Sequence, residues 1–415
     1  MNKKMCARTL RNNTKYYQRM CICAVWLIVL ISACRKQDIE PDPVGEPVPY
    51  TGPAKSLETT LFQTSNTLFI AAWKRADMTG RLHKLDSRTF TLFVPTDDAM
   101  KAAGWTLGKI NTTLPDTLNA LLAYYIADRN VAPASLATIK GNIALASLRT
   151  SADVPEYSIA SPYTYLLFTG IHKDSLWMNG YPVSKWGNAI ESTSGTLYTI
   201  NRMLPLPQMD MLAYLQSDER FSFYLEACRI NDSLYIEKNP WYNTQQTLTL
   251  LNPNPKYGGQ YTLFAPTNEA FKKSGLQSIE DIRALACRTL PIGDAHNDEE
   301  SYYVDPLTSL DSILLPHKMN FQGESGPYNP SGKPAHPAFF YNDLLDNTAI
   351  SGMMLRLGQV GSSRPLMFNL EFTSKNGQVY VRRQGAKVAP MPLVQHDIQV
   401  LNGVIHVLND GLLVP

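Results

Sequence analysis

Apolar positions along the chain form two successive series in the same order. Each series opens at helical spacing, in NTLFIAAWKRADMTGRL (66–82) and in MLAYLQSDERFSFYLEACRI (211–230). Each continues with a short apolar run of strand character, Thr91–Val94 and Thr262–Ala265. Pro95 and Pro266 stop these runs and hold the preceding residue extended. Thr96 and Thr267 then stand where a helix N-cap belongs. Acids follow in the first turn, Asp97 and Asp98 in one series and Glu269 in the other, where they favour the positive end of the helix dipole. Gly104 and Gly275, eight residues past each Thr, are placed to terminate the helix. Each series therefore predicts a strand, a sharp turn, a capped two-turn helix and a stop.

The two phrases, TLFVPTDDAM from Thr91 and TLFAPTNEAF from Thr262, share six of ten residues at an offset of 171. Leu118–Tyr125 matches Leu310–His317 at an offset of 192, and Gly195–Asn201 matches Gly403–Asn409 at 208. The order is constant while the offset grows, so the second copy carries insertions, at roughly 290–305 and 321–360. This pattern indicates a duplication with drift, giving two domains rather than a solenoid. Asn179-Gly180 and Asn376-Gly377 each predict a hairpin turn before the closing strand. Helices early and strands late in each copy make the expected class α+β: a sheet core with several short helices, built twice, over 57–207 and 208–415.

The chain begins differently. Cys21–Ala33 is a run of thirteen residues without charge, preceded by Lys3, Lys4, Arg8, Arg11, Lys15 and Arg19 and no acid. A basic segment before a short apolar one predicts a secretory signal over 1–33, with an uncleaved N-terminal anchor as the alternative. Ile31-Ser32-Ala33-Cys34 resembles the bacterial lipobox. By that resemblance Cys34 is diacylated and becomes the mature N-terminus, and two or three acyl chains hold a protein stably on a membrane. Residues 35–56 contain five prolines and two glycines, a composition that stays extended and acts as a tether for the domains beyond it.

Removing the signal alters the charge. The full chain has 38 basic and 36 acidic residues, and without the first six positives 32 remain, for a net charge near −4. No basic stripe with interleaved aromatics survives, so nucleic acid is not an expected partner. Of six cysteines, three leave with the signal and Cys34 carries lipid. Cys228 and Cys287 remain, either paired in an oxidising compartment or as two buried thiols. Their spacing supports neither redox catalysis nor zinc.

Candidate chemistry is sparse. None of the seven histidines sits in a metal or nucleophile motif. His317 follows an apolar helix face and reads as a hydrogen-bonded structural residue. His406 lies between Ile405 and Val407, so alternation predicts that it faces solvent. Gly326–Lys333 fails as a phosphate loop, because five residues separate its glycines and Pro334 follows the Lys. Asp294–Glu300 with Asp305 is dense in oxygen donors but lacks the spacing of a calcium loop, and reads as solvated. Aromatic residues fall in expected loops: Trp186, Trp241, Tyr242, Tyr257, Tyr302, Tyr303, Tyr328 and Tyr341. Such rings stack on sugars or proteins, or pack their own loops. No cofactor, metal or catalytic set is expected, so the chain is read as a non-enzyme.

Taken together, these residues resemble a known family. TLFVPTDDAM and YTLFAPTNEAF resemble the first conserved segment of fasciclin-type (FAS1) domains, and NGVIHVLNDGLLVP (402–415), with Gly403 and His406, resembles their closing segment. SGTLYTINRMLPLP (194–207) is a degenerate closing segment at the right place. The resemblance covers most of 57–415 and implies tandem domains in a lipoprotein of the Bacteroidetes type. The Tyr-His pair of the family appears as Tyr124-Tyr125 in one copy and Pro316-His317 in the other. Asp397-Ile398 occupies the place of an integrin-recognition Asp-Ile in animal members, while core packing is the other role open to Ile398. The resemblance implies adhesion or extracellular binding from the cell envelope. The chain would be lipid-anchored in the outer membrane, on its surface or its periplasmic face, with a protein or glycan partner. Asp38, Glu40 and Asp42 loosely resemble surface-export signals. A glycan-binding accessory role in polysaccharide uptake is the alternative.

Overall fold

The computed structural model of the protein describes residues 52–85, 88–152, 154, 162–238, 260–288, 308–319, 338–346, 355–357, 366–368 and 370–414. The chain divides into two compact units, Met1–Gly52 and Pro53–Pro415, and the described residues after Gly52 belong to the second. Cys34, the expected signal and most of the tether lie outside the described residues. So do Trp241, Tyr242, Tyr257, Tyr302, Tyr303, Tyr328, the acidic stretch 294–300 and the 326–333 loop.

In the first half, Phe90–Pro95 forms β1, buried along its whole length. Thr96 caps the next helix, Asp97–Ala102, by accepting a hydrogen bond from the Ala99 amide. Such a cap stabilises a helix by ~1 kcal/mol. Gly104, at φ +78°, ends it: its amide returns to the Lys101 carbonyl and the next amide to Met100. The Pro115–Ala123 helix then leads into β2 (Ile126–Ala127). Strands β3 (Ile143–Ser151), β4 (Tyr163–His172), β5 (Ser175–Met178) and β6 (Tyr181–Lys185) meander outward. β7 (Ala189–Ser192) and β8 (Gly195–Ile200) lie on the other side of β1, with β8 beside it and β7 at the edge. The result is one mixed sheet of order β6-β5-β4-β3-β2-β1-β8-β7, in which β1 and β8 run parallel. Asn179 and Gly180 both have positive φ, as the tight hairpin between β5 and β6 requires.

In the second half, β9 (Tyr261–Pro266) runs into a helix, Asn268–Lys273, capped by Thr267 through the Ala270 amide and ended by Gly275 at φ +90°. Strands β10 (Lys318–Met319), β13 (Leu370–Lys375), β14 (Gln378–Arg383), β15 (Met391–Val400) and β16 (Gly403–Leu408) complete a sheet of order β10-β9-β16-β15-β14-β13. β11 (Leu355–Leu357) and β12 (Leu366–Phe368) pair separately. Helices lie against mixed sheets in both halves, an α+β arrangement.

The two halves share their registers. β1 and β8 pair from Phe90↔Gly195 to Pro95↔Ile200, and β9 and β16 from Tyr261↔Gly403 to Pro266↔Leu408. Leu92↔Ile126 in one half corresponds to Leu263↔Lys318 in the other, and Ile190↔Leu197 corresponds to Ile398↔Ile405. A slip of one residue would turn every side chain to the opposite face, so identical register is a demanding match. Gly195 and Gly403 show why it holds. At φ +148° and +149°, a Cβ on either would lie 1.9 Å from the Phe90 carbonyl oxygen or 2.0 Å from that of Tyr261.

β16 departs from the sequence reading at one residue. Its middle position puts a core on both faces. Ile405 and Val407 join one cluster with Leu263 and Phe271, while Leu408 joins another with Phe264 and Leu393. His406 is on that second face, fully buried, with its ring stacked on Phe264 at 5.5 Å. The expectation of exposure is therefore corrected: alternation separates core from solvent only where one face of a strand is wet.

Candidate functional site: the latches and the joint between the halves

Two local devices close each half. The first lies where the capped helix meets the long helix before it. Asp97 Oδ1 accepts the Leu68 amide (2.8 Å) and its Oδ2 the Thr67 hydroxyl (2.5 Å), which fixes the start of the Thr67–Arg75 helix. Asn268 Oδ1 does the same for the Ser222–Lys238 helix, accepting the Phe223 amide at 2.9 Å. The shared requirement is an acceptor, not a charge.

The second device lies after the strand-preceding helix. His317 is fully buried. Its Nδ1 donates to the Phe264 carbonyl (2.7 Å) and its Nε2 accepts the Leu413 amide (3.1 Å). Burial lowers its pKa to about 4, so it stays neutral and ties β9 to the C-terminal tail. Tyr125 stands at the same point of the first half, and its hydroxyl accepts the Leu204 amide at 2.9 Å. The Tyr-His position thus serves as a tail latch in both halves.

Between the halves lies a buried polar joint. Asp343, at the start of the Tyr341–Asp346 helix, accepts the Asn142 backbone amide (2.7 Å), the Asn142 side-chain amide (2.9 Å) and the Phe340 amide (2.9 Å). Asn142 and Asn342 exchange side-chain hydrogen bonds at 3.0 and 3.1 Å. The Tyr163 hydroxyl donates to the Leu401 carbonyl at 2.7 Å. Phe168 packs on Phe340 with ring centres 5.0 Å apart. Burial pushes the Asp343 carboxyl up to about 7, while the amides of Phe340 and Asn142 pull the other way.

Asp397 belongs to this joint. It sits at an irregularity of β15 with φ +59° and is 7% exposed. Its carboxylate accepts the Tyr341 amide (2.7 Å) and a hydrogen bond from His396 (2.9 Å). Gly180, from the hairpin turn of the first half, lies against it so closely that a Cβ would fall 2.3 Å from the Asp397 Cγ. His406 completes the cluster: Nδ1 accepts the Asp397 amide (3.4 Å) and Nε2 donates to the Phe339 carbonyl (2.8 Å). Burial again lowers the imidazole pKa, against the pull of Asp397. The implied contact site at Asp397-Ile398 is therefore corrected. The carboxylate is spent on internal donors, and Ile398 packs against the second-half core.

The aromatic candidates are placed similarly. Trp186 is half-buried, packs on the first-half core and stacks on Tyr198 at 6.4 Å. Tyr341 is buried rather than in an open loop, with its ring 3.7 Å from His396. Cys228 is buried, with its thiol pushed up by burial, and Cys287 is exposed; both are free thiols, so the pair is neither bridged nor uniformly buried. Among the described residues no group of three His, Cys, Asp or Glu is placed to hold a metal. No helix among them is long and apolar enough to cross a membrane.

One part of the chain matches a known domain family. Residues 64–207 match the family model of the fasciclin domain. The chain therefore contains a fasciclin domain, a module typical of adhesion and extracellular binding proteins and generally non-catalytic. A stretch of 221 residues, 53% of the chain, is 26% identical to transforming growth factor-beta-induced protein ig-h3 of Sus scrofa, and spans 22% of that protein's length. A solved structure of a FAS1 domain pair from the insect cell adhesion molecule Fasciclin I aligns over 84% of this chain and 96% of its own, at 14% identity and a TM-score of 0.31.

Proposed function

We propose that the protein is a lipid-anchored adhesion or extracellular binding protein with two fasciclin domains, residues 57–207 and 208–415. The observation that carries the second domain is the repeated register, from Phe90↔Gly195 in one half and Tyr261↔Gly403 in the other. Supporting the reading further, each half uses the same cap, the same acceptor at the long helix and the same tail latch. Cys34 holds the chain on the outer membrane after removal of residues 1–33, and the Pro-rich segment spaces the domains from the lipid. The protein works by surface contact and catalyses nothing.

Two experiments separate the parts of this reading. Globomycin treatment, or a Cys34→Ala change, should leave an unprocessed or released protein. Unchanged processing and membrane attachment would remove the anchor. Beads coated with the full chain should adhere to immobilised extracellular proteins above an uncoated control. Retention on a polysaccharide gel with no protein adhesion would instead favour the glycan-accessory role.

A further inference from the structure

The two halves close differently over their latches. In the second half the C-terminal tail is drawn in, and Leu412 and Leu413 are buried. The Leu412 amide donates to Ser274 Oγ (2.9 Å) and the Leu413 amide to His317. In the first half the residue matching Ser274 is Ala103, and Pro205 stands where Leu413 does. Proline has no amide hydrogen to donate, and alanine offers no acceptor. A cleft of about 220 Å³ remains there, walled by Trp105, Leu121, Tyr124, Tyr125, Met203 and Arg149.

The charge in this cleft is one-sided. Arg149 is the single ionised group among its lining residues, which include no acid. Its Nη1 donates to the Ala120 carbonyl at 2.7 Å, and its guanidinium lies over the Tyr165 ring at 5.4 Å. Its Nε is shut off from solvent and has no hydrogen-bond partner among the described residues. A buried donor without an acceptor is uncommon in a folded protein and marks a place where an acceptor is missing. The two tyrosine hydroxyls cannot supply a negative charge, since burial pushes both far above the ordinary phenol range.

We infer that the cleft is a binding site for a small monocyclic aryl carboxylate. The ring lies against Trp105, Leu121 and Met203, and the carboxylate pairs with the Arg149 guanidinium, which turns toward the cleft to give its Nε an acceptor. Size agrees: a cavity of about 150 Å³ holds benzene, so 220 Å³ admits one ring and a short acidic side chain. A carboxylate matches the planar fork of a guanidinium, whereas a neutral amide of the same shape keeps only one acceptor and adds unmatched donors. The site is independent of the membrane anchor and of the adhesion reading.

Saturation-transfer NMR on the full chain, with 3-phenylpropionate and 3-phenylpropanamide as probes, tests this. The acid should bind, and the amide should bind about ten-fold more weakly. Arg149→Lys keeps a cation but loses the fork, and should weaken the acid more than the amide. Ala103→Leu fills the cleft and should abolish both signals, with a melting curve confirming that each variant folds. Absence of any signal from the acid at about 10 mM would overturn the proposal. Equal binding of acid and amide, or undiminished binding to Ala103→Leu, would do the same.

Discussion

Tyr125 and His317 occupy the same point in the two halves and do the same work with different chemistry. Each ends the helix before a short strand, and each accepts an amide from the tail beyond the closing strand. The tyrosine reaches further and takes the Leu204 amide, next to a proline that cannot donate. The imidazole is shorter, takes the Leu413 amide, and adds a second bond to the Phe264 carbonyl. The same pattern appears at Asp97 and Asn268, where one residue is charged and the other is not. The two halves keep the positions of donors and acceptors while the groups that fill them differ. A residue type shared by the family at such a point is therefore weak evidence for a binding role.

The largest expected effects come from the glycines that let β8 and β16 approach their parallel neighbours. Gly195→Ala and Gly403→Ala each set a Cβ against backbone, and each should destabilise its half by ~4 kcal/mol or more in urea unfolding. A large loss at one and none at the other would break the equivalence.

The latches come next. His317→Ala leaves a buried carbonyl and a buried amide without partners and should cost ~3 kcal/mol, whereas Tyr125→Phe removes one acceptor and should cost ~1 kcal/mol. The histidine also makes its half sensitive to pH. Its folded pKa, about 4, lies below the ordinary value of 6.5, so the unfolded chain binds the proton first. The stability it confers is present above pH 6.5 and is lost as pH falls toward 4. The gap between wild type and His317→Gln should therefore narrow over that range. Asp343 has the opposite sign: its folded pKa is raised, so its contribution falls as pH climbs from about 4 to about 7, and comparison with the His317 variant cancels it. A gap that widened on acidification would contradict the neutral latch.

Asp97→Ala and Asn268→Ala should each cost ~1 kcal/mol, as losses of a helix-start acceptor. Smallest of all should be the exchange Asp97→Asn, below ~0.5 kcal/mol, because the acceptor survives. A cost for Asp97→Asn equal to that of Asp97→Ala would show that the charge matters after all.

What the sequence made legible was local. A Thr before acids, a Gly eight residues on and an Asn-Gly pair act within one turn of the chain, and the structure forms each of them where the pattern puts it. What stayed hidden depends on partners far away. The burial of His406 comes from a second core behind β16, which alternation along one strand cannot register. The sealing of Asp397 needs a strand irregularity and a turn more than two hundred residues earlier. The Asn142–Asp343 contact is likewise set by how the halves meet. Arg149 carried no sequence signal, since an arginine in a strand looks solvated until its neighbours are known.

The central claim is that one strand register is built twice. Methyl-labelled NMR tests it most directly through two equivalent pairs of buried side chains, Leu92 with Leu197 and Leu263 with Ile405. The account predicts methyl–methyl cross-peaks for both. A cross-peak between Leu92 and Leu197, with Leu263 pairing to Val407 instead of Ile405, would place the second half in another register and contradict it.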